Sequence, residues 1–556
     1  MGIRNHRIAG RGRSTALIII AAALAHPGAA PAQPVSQQLF GANLWDGNAQ
    51  GNNADRAWGH ARAARMRLVR IGGIMYNNNT ATPQTYARWI DSIRAAGAEP
   101  LVQVSTIEPA TDAAALVSEL NIKRKYGVRF WSIGNEPTCG KAAGAAVVAD
   151  LAGKIKARAA AMKAVDPSIR IFIGEECYWR EELYAPLVGG DQDVTGKDEA
   201  GRWFADGVAF HNYPFPGADQ NAKYTREQVL DKGVPGIRGM LAACKAQAAK
   251  ADAKHGRAGS QALACALTEF NITYWNPPAN ALAGVGSRSF LNGHFFAEVY
   301  GAAMEYGTFA VLPWSMMQNG GDGTGEDLGL LDGTGALAAR PSYHHLSLMS
   351  RHMRGNFLPS KHNAPRVKSF ATRDGDTVAI LILNENASEG GRVAIRLADL
   401  APAADAPWQV RVPVTGEGAA GWDGEISDSL PPESTLLIKA LKGGAVFFRA
   451  TYSLAMANRG ESPLEKAVPV RVGRGNRPVT ARDFISQRGR FLEGGLERAE
   501  PHRVELRTLS GILVAWTSGT GQGWRIDAGP LPPSAYLLTV RTVAGAETRL
   551  LALTGR

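Results

Sequence analysis

Cysteine and long apolar runs are both scarce in this chain of 556 residues, and each shortage excludes a class of structure. The four cysteines include no CxxC pair, so neither a structural zinc site nor a thiol redox motif is expected. Beyond the N-terminus, no apolar run reaches the roughly 20 residues that a membrane-spanning helix needs. No basic run is interleaved with aromatic residues, so the sequence does not predict nucleic-acid binding.

The first 32 residues have the pattern of an export signal. Four arginines between positions 4 and 13 precede a short apolar stretch at 16–24, and APA at 30–32 fits a cleavage site. We therefore expect a secreted, periplasmic or cell-surface protein that is cleaved near Ala32 and has no membrane span; a single N-terminal anchor is the alternative. Cleavage would lower the formal net charge from +11 to +7, a balance that we assign to an arginine-rich surface.

Eight short apolar runs alternate with Ala-rich helical patterns between residue 38 and about residue 350. Near-continuous apolar strands separated by helices favour a parallel sheet that is covered on both faces. Eight repeats favour an α/β fold of the (β/α)₈ or TIM-barrel type. An open doubly wound sheet is the alternative, but the first strand lacks the Gly-rich phosphate turn of such folds. The predicted strands cover 39–44, 68–73, 100–105, 129–136, 169–176, 207–213, 263–271 and 309–315.

The remainder of the chain is predicted to form two β-sandwich-like domains. Alternating apolar residues and the turn sequence RDGDT are typical of antiparallel strands. We therefore divide the chain into an export signal at 1–32, a barrel at 33–355, an accessory β-sandwich at 356–450 and a C-terminal β-rich domain at 465–556. The last of these resembles sorting or adhesion modules of exported bacterial enzymes.

Polar side chains follow the C-terminal ends of the predicted barrel strands, where (β/α)₈ barrels place their active sites. Glu136 ends the fourth strand and Glu269 ends the seventh. Two carboxyl groups facing each other at a mouth rich in tryptophan suggest glycoside hydrolysis. One carboxyl group would protonate the leaving oxygen, and the other would attack the sugar carbon or activate water. Other side chains at these ends are Arg70, Asn135, Glu175, Glu176, His211, Tyr213, Asn271 and Trp314.

The motifs GNEP on strand four and TEFN on strand seven resemble those of the clan A retaining glycoside hydrolases. The resemblance covers the barrel and implies that Glu136 is the acid/base, that Glu269 is the nucleophile and that no cofactor is needed. It also implies that Asn135 binds the sugar 2-hydroxyl and that Arg70 lies beneath the nucleophile and keeps it ionised. The arabinofuranosidase, xylosidase and glucuronidase families, which carry a β-sandwich after the barrel, look nearest, and no single family is assigned.

Further sugar-binding residues follow from the same resemblance and from the placement of tryptophan. His211 and Tyr213 match the strand-six pair of the clan, and Trp314 matches its strand-eight platform. Trp45 and Trp275 are additional candidates, because flat aromatic side chains suit the apolar faces of sugars. Each of these side chains has a purely structural role as its alternative.

Two acidic segments near the predicted site are assigned no catalytic role. Glu175 and Glu176 are expected to be rim or hydrogen-bonding residues. The Asp-rich loop at 319–333 lacks a complete calcium-loop spacing, so no metal site is predicted.

The predicted function is that of an exported retaining glycoside hydrolase acting on a polysaccharide or oligosaccharide through a glycosyl-enzyme. A transglycosylase with the same intermediate and a non-catalytic polysaccharide-binding protein are the alternatives. The sequence specifies neither the sugar, nor the linkage, nor endo or exo action.

The four cysteines are expected to form two disulfides, since an even count in an exported protein favours pairing. Cys139 and Cys177 follow neighbouring strands, so their loops should lie side by side. Cys244 and Cys265 would form the second pair. One difficulty opposes that second pair: Cys265 has the same strand parity as Glu269, which would point it into the barrel.

Overall fold

The computed structural model describes residues 33–44, 54–78, 81–215, 224–277, 280–318, 327–333, 336–398, 406–414 and 421–468, together with short strands between 471 and 552. The expected export signal, Trp45 and most of the Asp-rich loop lie outside the described residues. Within the described part of the chain, none of the helices combines the length and the apolar character needed to cross a bilayer.

Eight parallel strands form one sheet in chain order, and its first and last strands meet. A parallel bridge between Phe40 and Val311 joins these two strands and closes the sheet. The predicted (β/α)₈ barrel is therefore confirmed. Its strands are β1 (Gly41–Leu44), β2 (Leu68–Ile71), β3 (Glu99–Val104), β4 (Phe130–Ile133), β5 (Arg170–Glu176), β6 (Gly207–Asn212), β7 (Ala264–Phe270) and β8 (Ala310–Pro313).

Helices follow the strands, and several have clear start and stop signals. Thr82 and Ser289 accept backbone N–H bonds at the starts of α3 and α9, and Gly256 and Gly307 end α8 and α9 in the left-handed conformation. The helices are α1 (Ala54–Ala63), α2 (Met75–Asn78), α3 (Pro83–Ala95), α4 (Ala110–Val117), α5 (Ala145–Val165), α6 (Glu181–Leu187), α7 (Arg226–Gln228), α8 (Val234–His255), α9 (Phe290–Tyr306), α10 (Pro341–His352) and α11 (Leu454–Asn458). π-helical turns at Ser118–Lys123 and Val229–Gly233 extend α4 and precede α8, and short 3₁₀ turns lie at Gly259–Gln261 and Lys442–Gly444.

The barrel interior changes from apolar to polar along the strands. Its lower part is a small cluster of inward-facing apolar side chains, whereas the outward-facing residues pack with the helices in a larger core. The C-terminal ends of the same strands carry inward-facing polar groups, so the site lies on an apolar floor. The interior cluster consists of Leu68, Leu101, Phe130, Phe172, Ala209, Ala266, Ala310 and Leu312.

A two-sheet sandwich follows the barrel, and the chain enters it twice. The short strand Gln33–Pro34, before the barrel, pairs with Asn356–Leu358, after it. The larger sheet continues to Ala467, past the boundary that was predicted at residue 450. In spatial order, its strands are Gln33–Pro34, Asn356–Leu358, Val367–Asp374, Thr377–Asn384, Ser434–Leu441, Val446–Ser453 and Leu464–Ala467; the smaller sheet contains Lys361–His362, Trp408–Arg411, Gly391–Arg396 and Glu425–Leu430.

The last segment is rich in strands, as its sequence predicted. Its described strands form a five-stranded sheet and a three-stranded sheet. The first contains Arg471–Val472, Gly545–Ala552, Ala535–Thr542, His502–Thr508 and Leu513–Gly519, and the second contains Ser486–Arg488, Phe491–Gly495 and Gly523–Asp527.

Two buried carboxyl groups lie where the barrel meets the sandwich. Glu298 on α9 and Glu385, just after strand Thr377–Asn384, are 6% and 1% exposed. Burial raises the pKa of both groups, and the charge of Glu298 raises that of Glu385 further. The folded protein therefore binds protons here more tightly than the unfolded chain does.

We expect this pair to make the stability of the protein fall as the pH rises. A carboxyl group whose folded pKa is raised contributes its full stability below its unfolded pKa and loses it as the pH rises through the folded pKa. Glu385→Gln should therefore have a higher Tm than the parent at pH 8. Its free energy of unfolding should be greater by about 1–3 kcal/mol, and this difference should shrink towards pH 4. Thermal unfolding of both proteins across this range measures the effect. Glu461→Gln, at an exposed site, is the matched control; equal pH dependence in all three proteins would contradict the expectation.

Candidate active site

A layer of polar side chains covers the apolar floor at the C-terminal ends of the strands. Its members come from seven of the eight strands or the residues directly after them, and all are buried except Glu136, whose side chain is 22% exposed. The layer contains Asn43, Arg70, Gln103, Asn135, Glu136, Glu175, His211, Thr268 and Glu269. The exposed fraction makes Glu136 accessible from the mouth of the barrel.

Glu136 reaches this position through a sharp turn after β4. Gly134 has φ +84° and Glu136 has φ +47°, so the chain turns in the left-handed region at both residues. A side chain at Gly134 would lie 2.7 Å from the Thr106 methyl group, which explains why glycine occupies the position. The backbone N–H of Glu136 donates to the carbonyl of Glu175 at 2.7 Å and ties the turn to β5.

Bulges in β5 and β7 turn additional side chains into the barrel. The pairing of β5 with β6 passes from Gly174 to Glu176 and leaves Glu175 as the extra residue, with φ +51°. The pairing of β7 with β6 passes from Leu267 to Glu269 and leaves Thr268 as the extra residue. Strict alternation from the inward-facing Ala266 would point Glu269 outward. The bulge reverses the alternation, so that Thr268 and Glu269 both face the site.

Arg70 is a fully buried cation at the centre of the layer. Its guanidinium binds Glu269 at 2.7 Å and Glu175 at 2.9 Å. It also donates to the side-chain oxygens of Asn135 at 2.8 Å, Asn43 at 2.9 Å and Gln103 at 3.1 Å. Burial alone would lower the pKa of Arg70, but the two carboxylates outweigh it and raise that pKa. The predicted contact between Arg70 and Glu269 is therefore present.

His211 lies among three carboxyl groups. Its Nδ1 is 3.0 Å from Glu136 Oε1 and 3.6 Å from Glu269 Oε2, and its Nε2 is 3.0 Å from Glu175 Oε2. Burial lowers the pKa of His211, but the surrounding carboxyl groups outweigh it and raise the pKa to about 10. The imidazole is therefore protonated at neutral pH, and both of its N–H groups point at carboxylate oxygens.

Tyr213 binds the other oxygen of Glu269. Its hydroxyl donates to Glu269 Oε2 at 2.9 Å. Burial and the charge of Glu269 raise the pKa of Tyr213 well above its usual value, so the hydroxyl keeps its proton and remains a donor. Glu269 thus accepts from Arg70 through one oxygen and from Tyr213 through the other.

Glu136, His211 and Glu269 each offer one atom within 4.8 Å of the others, a spacing that could accommodate a metal ion. The charges already present fit a cation poorly. Arg70 and the His211 imidazolium supply two positive charges to this cluster, and both nitrogens of His211 are engaged by carboxylates. The donor set is therefore better suited to proton transfer than to metal binding.

The predicted aromatic residues differ in where they lie. Trp314 is half-buried directly after β8, and its indole lies so close to Gly73 that a side chain there would meet the ring at 2.6 Å. Its carbonyl accepts from the Asn271 side chain at 2.8 Å. Trp275 is also half-buried, but its described contacts are to Thr273 and not to the carboxyl groups. Trp45 lies outside the described residues.

Glu175 and Glu176, which were expected to be rim or hydrogen-bonding residues, are buried residues that form hydrogen bonds. Both side chains are 0% exposed. Glu175 binds Arg70, His211 and Thr268, which together lower its pKa although burial would raise it. Glu176 instead accepts from the N–H and hydroxyl of Thr138 and pairs with Arg180 at 3.2 Å. It therefore anchors the loop that follows Glu136.

A disulfide ties the same two loops together. Cys139 and Cys177 are bonded, with their Cα atoms 5.8 Å apart, within the usual range. This confirms the predicted pair. With Thr138 bound to Glu176, the bond fixes the segment after the candidate acid/base to the segment after β5.

The predicted Cys244–Cys265 disulfide is wrong, because both residues are buried free thiols. The parity difficulty has a structural answer: the β7 bulge lies after Cys265, so Cys265 faces outward to α8 while Glu269 faces inward. The Cys244 and Cys265 side chains are joined by a hydrogen bond, and burial raises the pKa of the Cys244 thiol well above its usual value. Because the thiolate is the reactive form, this environment opposes oxidation.

Sequence reasoning did not select Asn43, Gln103, Asn77 or Thr268. Gln103 accepts from the Gly73 N–H at 2.7 Å and donates to the Asn77 side chain at 3.1 Å. Asn77 in turn donates to the carbonyl of Asn135 at 2.7 Å. Asn43 and Gln103 could have been found from their polar side chains at inward positions near the ends of apolar strands, whereas Thr268 required the bulge.

We expect Glu175 to be one of the groups that keep His211 protonated. In Glu175→Gln, one of the three carboxylates is lost, and the pKa of His211 should fall by roughly one unit or more. Histidine-resolved NMR titration measures this pKa directly, and circular dichroism checks the fold. Glu182→Gln removes a carboxylate from the exposed face of α6 and should leave it unchanged. An unchanged His211 pKa in folded Glu175→Gln would contradict the assignment.

Comparison with known proteins bears on the fold. No protein-family model matches the chain, and no curated protein matches it in sequence. Among solved structures, a family 51 alpha-L-arabinofuranosidase from Bifidobacterium longum is similar, with a TM-score of 0.53 and 14% identity over 73% of this chain and 97% of that one. A GH51 arabinofuranosidase from Xanthomonas axonopodis pv. citri gives 0.53 and 15% over 74% and 97%. A monomeric beta-xylosidase from Caulobacter crescentus gives 0.50 and 14% over 73% and 97%. The chain shares with these structures the fold that its strand-end motifs predicted.

Proposed function

We propose that this protein is a retaining glycoside hydrolase, with Glu136 as acid/base and Glu269 as nucleophile. The observation that carries the proposal is the pairing of these side chains across His211, with their nearest ligand atoms within 4.8 Å of one another. Retaining enzymes hold their two carboxyl groups about 5–5.5 Å apart, whereas inverting enzymes leave about 6.5–9.5 Å for a water molecule. The short separation supports attack by a carboxylate rather than by water.

The contacts of Glu269 suit a nucleophile. Arg70 and Tyr213 donate to its two oxygens and hold the carboxylate in one orientation. The Oδ1 of Asn135 accepts from Arg70, so its amide nitrogen is the donor left for a sugar hydroxyl. In the first step, Glu269 would attack the anomeric carbon while the bond to the leaving oxygen breaks.

The contact between Glu136 and His211 suits a group that gives up a proton and later takes one back. At 3.0 Å, the pair can hold one proton on either partner. His211 would pass its Nδ1 proton to Glu136, and transfer of that proton from Glu136 to the leaving oxygen would leave a carboxylate beside a neutral imidazole. Glu136 would then accept a proton from the water that hydrolyses the glycosyl-enzyme, which restores the pair.

For the substrate, we propose an arabinofuranoside or β-xyloside unit of a polysaccharide or oligosaccharide. The solved neighbours with this fold include arabinofuranosidases and a beta-xylosidase. Exposed apolar side chains after several strands, including Ile74, Ile107 and Tyr274, offer a surface for further sugar units. Hydrolysis rates should be compared on a panel of aryl α-L-arabinofuranosides and aryl β-D-glycosides. We expect the protein to hydrolyse one of these substrates faster than the others, and failure to hydrolyse any of them would contradict the proposal.

The alternatives make different products. A transglycosylase would pass the glycosyl group to an added sugar acceptor, whereas a hydrolase releases free sugar with or without it. A non-catalytic binding protein would bind a glycan without turnover. The short contacts at Glu269 favour the catalytic reading, because a surface that only binds neutral sugars does not require a buried, doubly hydrogen-bonded carboxylate.

We further propose that the chain is exported and cleaved near Ala32, and that the β-rich segment after Ala467 has a sorting or adhesion role. The arginine-rich start followed by an apolar stretch supports export. N-terminal sequencing of the protein recovered outside the cytoplasm tests cleavage. Activity on small substrates should survive removal of the last domain.

The two glutamates should respond differently to azide. Glu136→Ala and Glu269→Ala should each lose activity, by about 10²–10⁴-fold for the acid/base on a substrate with a poor leaving group. With an activated aryl glycoside, azide should restore turnover of Glu136→Ala by replacing water at the glycosyl-enzyme. For Glu269→Ala, azide should instead give a glycosyl azide of inverted configuration. Product configuration is read by NMR.

Glu305→Gln is the control, because it replaces an exposed glutamate that pairs with Arg238 and leaves both carboxyl groups of the site unchanged. It should keep the activity of the parent with or without azide. Equal responses of the two alanine variants to azide would contradict the assigned roles.

A further inference from the structure

A pocket of about 340 Å³ opens at the N-terminal ends of the barrel strands. It lies where α5 ends and β5 begins, and the segments that precede β6 and β7 complete its wall. Arg170, in this pocket, is the first residue of β5, whereas Glu176 is the last. The pocket is therefore at the opposite end of the barrel from the candidate active site. The lining side chains that matter below are Lys163, Ser168, Arg170, Lys197, Trp203 and Asp206.

The charges that line this pocket are unbalanced. Asp206 is its one lining carboxylate, and its Oδ2 already accepts from Lys163 at 2.6 Å and from the Ile171 N–H at 2.8 Å. Arg202, also in the lining, is paired with Asp198 outside it at 2.7 Å. Within the described part of the chain, Arg170 and Lys197 form no ion pair. The pocket consequently presents two positive groups, Arg170 and Lys197, that no carboxylate contacts directly, and its one carboxylate is already bound to Lys163.

Aromatic rings hold the unbalanced cations in place. The guanidinium of Arg170 lies 5.5 Å from the centre of the Phe309 ring, and the ammonium group of Lys197 lies 4.5 Å from that of Trp203. Arg257 occupies a further position on Trp203, at 4.3 Å. Such contacts restrict the side chains before any ligand arrives, which lowers the entropy lost on binding.

Neighbouring cations also oppose one another here. Burial lowers the pKa of Lys163, Asp206 counteracts this, and Arg257 and Arg170 lower that pKa again. Burial and the nearby Arg129 lower the pKa of Arg170 in the same way, against the opposing effect of Asp206. A bound anion would relieve this repulsion, whereas a neutral ligand would not.

We propose that this pocket binds the anionic group of an acidic saccharide, a carboxylate or sulfate, at a site separate from the catalytic carboxyl groups. A planar guanidinium and an ammonium group, both held against aromatic rings, are well suited to the oxygens of such a group. The volume is at the lower end of the range for small-molecule sites and exceeds the needs of a lone ion. Ser168 borders the pocket, and because its hydroxyl donates to Asp166 at 2.6 Å, its oxygen is left to accept from a hydroxyl group of the ligand. The preference for an anion follows from the pocket alone, whereas the choice of a saccharide as its carrier rests on the proposed function.

The test is calorimetric titration of the full chain at low ionic strength with oligogalacturonate of four units, neutral xylotetraose and sodium sulfate. Oligogalacturonate should bind, and Lys197→Gln should weaken its binding about tenfold, the effect of losing one charged contact. Lys154→Gln, an exposed lysine of α5 paired with Asp150, is the matched control and should bind like the parent. Turnover of an aryl glycoside should be the same in Lys197→Gln and the parent, because Lys197 is remote from the catalytic layer.

Three outcomes would overturn the proposal. The first is equal binding of xylotetraose and oligogalacturonate, and the second is unchanged oligogalacturonate binding in Lys197→Gln. The third is binding of sulfate without binding of oligogalacturonate, which would indicate an adventitious ion only. Arg170→Gln serves as a second variant and should also weaken oligogalacturonate binding. If its fold is lost through the contact with Phe309, Lys197→Gln still decides the matter, because Lys197 is exposed. A chain that binds oligogalacturonate here but fails on every aryl glycoside would contradict the proposed hydrolase and leave the saccharide site intact.

Discussion

The upper end of the barrel depends on the buried guanidinium of Arg70. Two carboxylates, Glu175 and Glu269, lie within 3 Å of it in a region closed to solvent. Without a cation between them, two such charges would repel each other and lose their hydration, and removing one partner of a buried pair typically destabilises a protein by about 3–5 kcal/mol. Arg70 also fixes the side-chain oxygens of Asn43, Gln103 and Asn135, so one residue orders contributions from five other strands or strand ends.

The imidazolium of His211 is a second buried cation, and it lies among the carboxyl groups of Glu136, Glu175 and Glu269. Glu175 connects the two cations, because the same oxygen, Oε2, contacts Arg70, His211 and Thr268. Among the nine side chains of the layer, Glu136 is the most exposed, at 22% of its side chain. Hydrogen bonds through His211 and Glu175 thereby link Glu136 to Arg70 deeper in the barrel, and such a connected network can contribute more than the sum of its pairwise contacts.

The sequence was sufficient for the barrel, the strand ends and the two principal carboxyl groups, because apolar runs and strand-end polarity are local signals. Arg70, Asn135, His211 and Tyr213 were placed correctly for the same reason. The inward direction of Glu175 could not be predicted, because it comes from a bulge, a one-residue insertion that alternation does not reveal. The inward direction inferred for Cys265 has the same origin, since it was inferred from Glu269 across the bulge in β7, whereas the wrong Cys244–Cys265 disulfide came from the even count of cysteines. Lys163 and Asp206, which line the pocket at the N-terminal ends of the barrel strands, are 43 residues apart and come into contact only in the folded protein.

The pairing of Gln33–Pro34 with Asn356–Leu358 has a consequence for how the chain acquires its structure. One sheet of the sandwich takes a strand from before the barrel and its other strands from after it, so more than 300 residues separate the two partners. Such a contact has a very large sequence separation, and contacts of this kind form slowly. During synthesis, the first strand therefore emerges long before the edge that it will join. The barrel is completed between them, and its closure brings that early strand to the edge where the sandwich needs it.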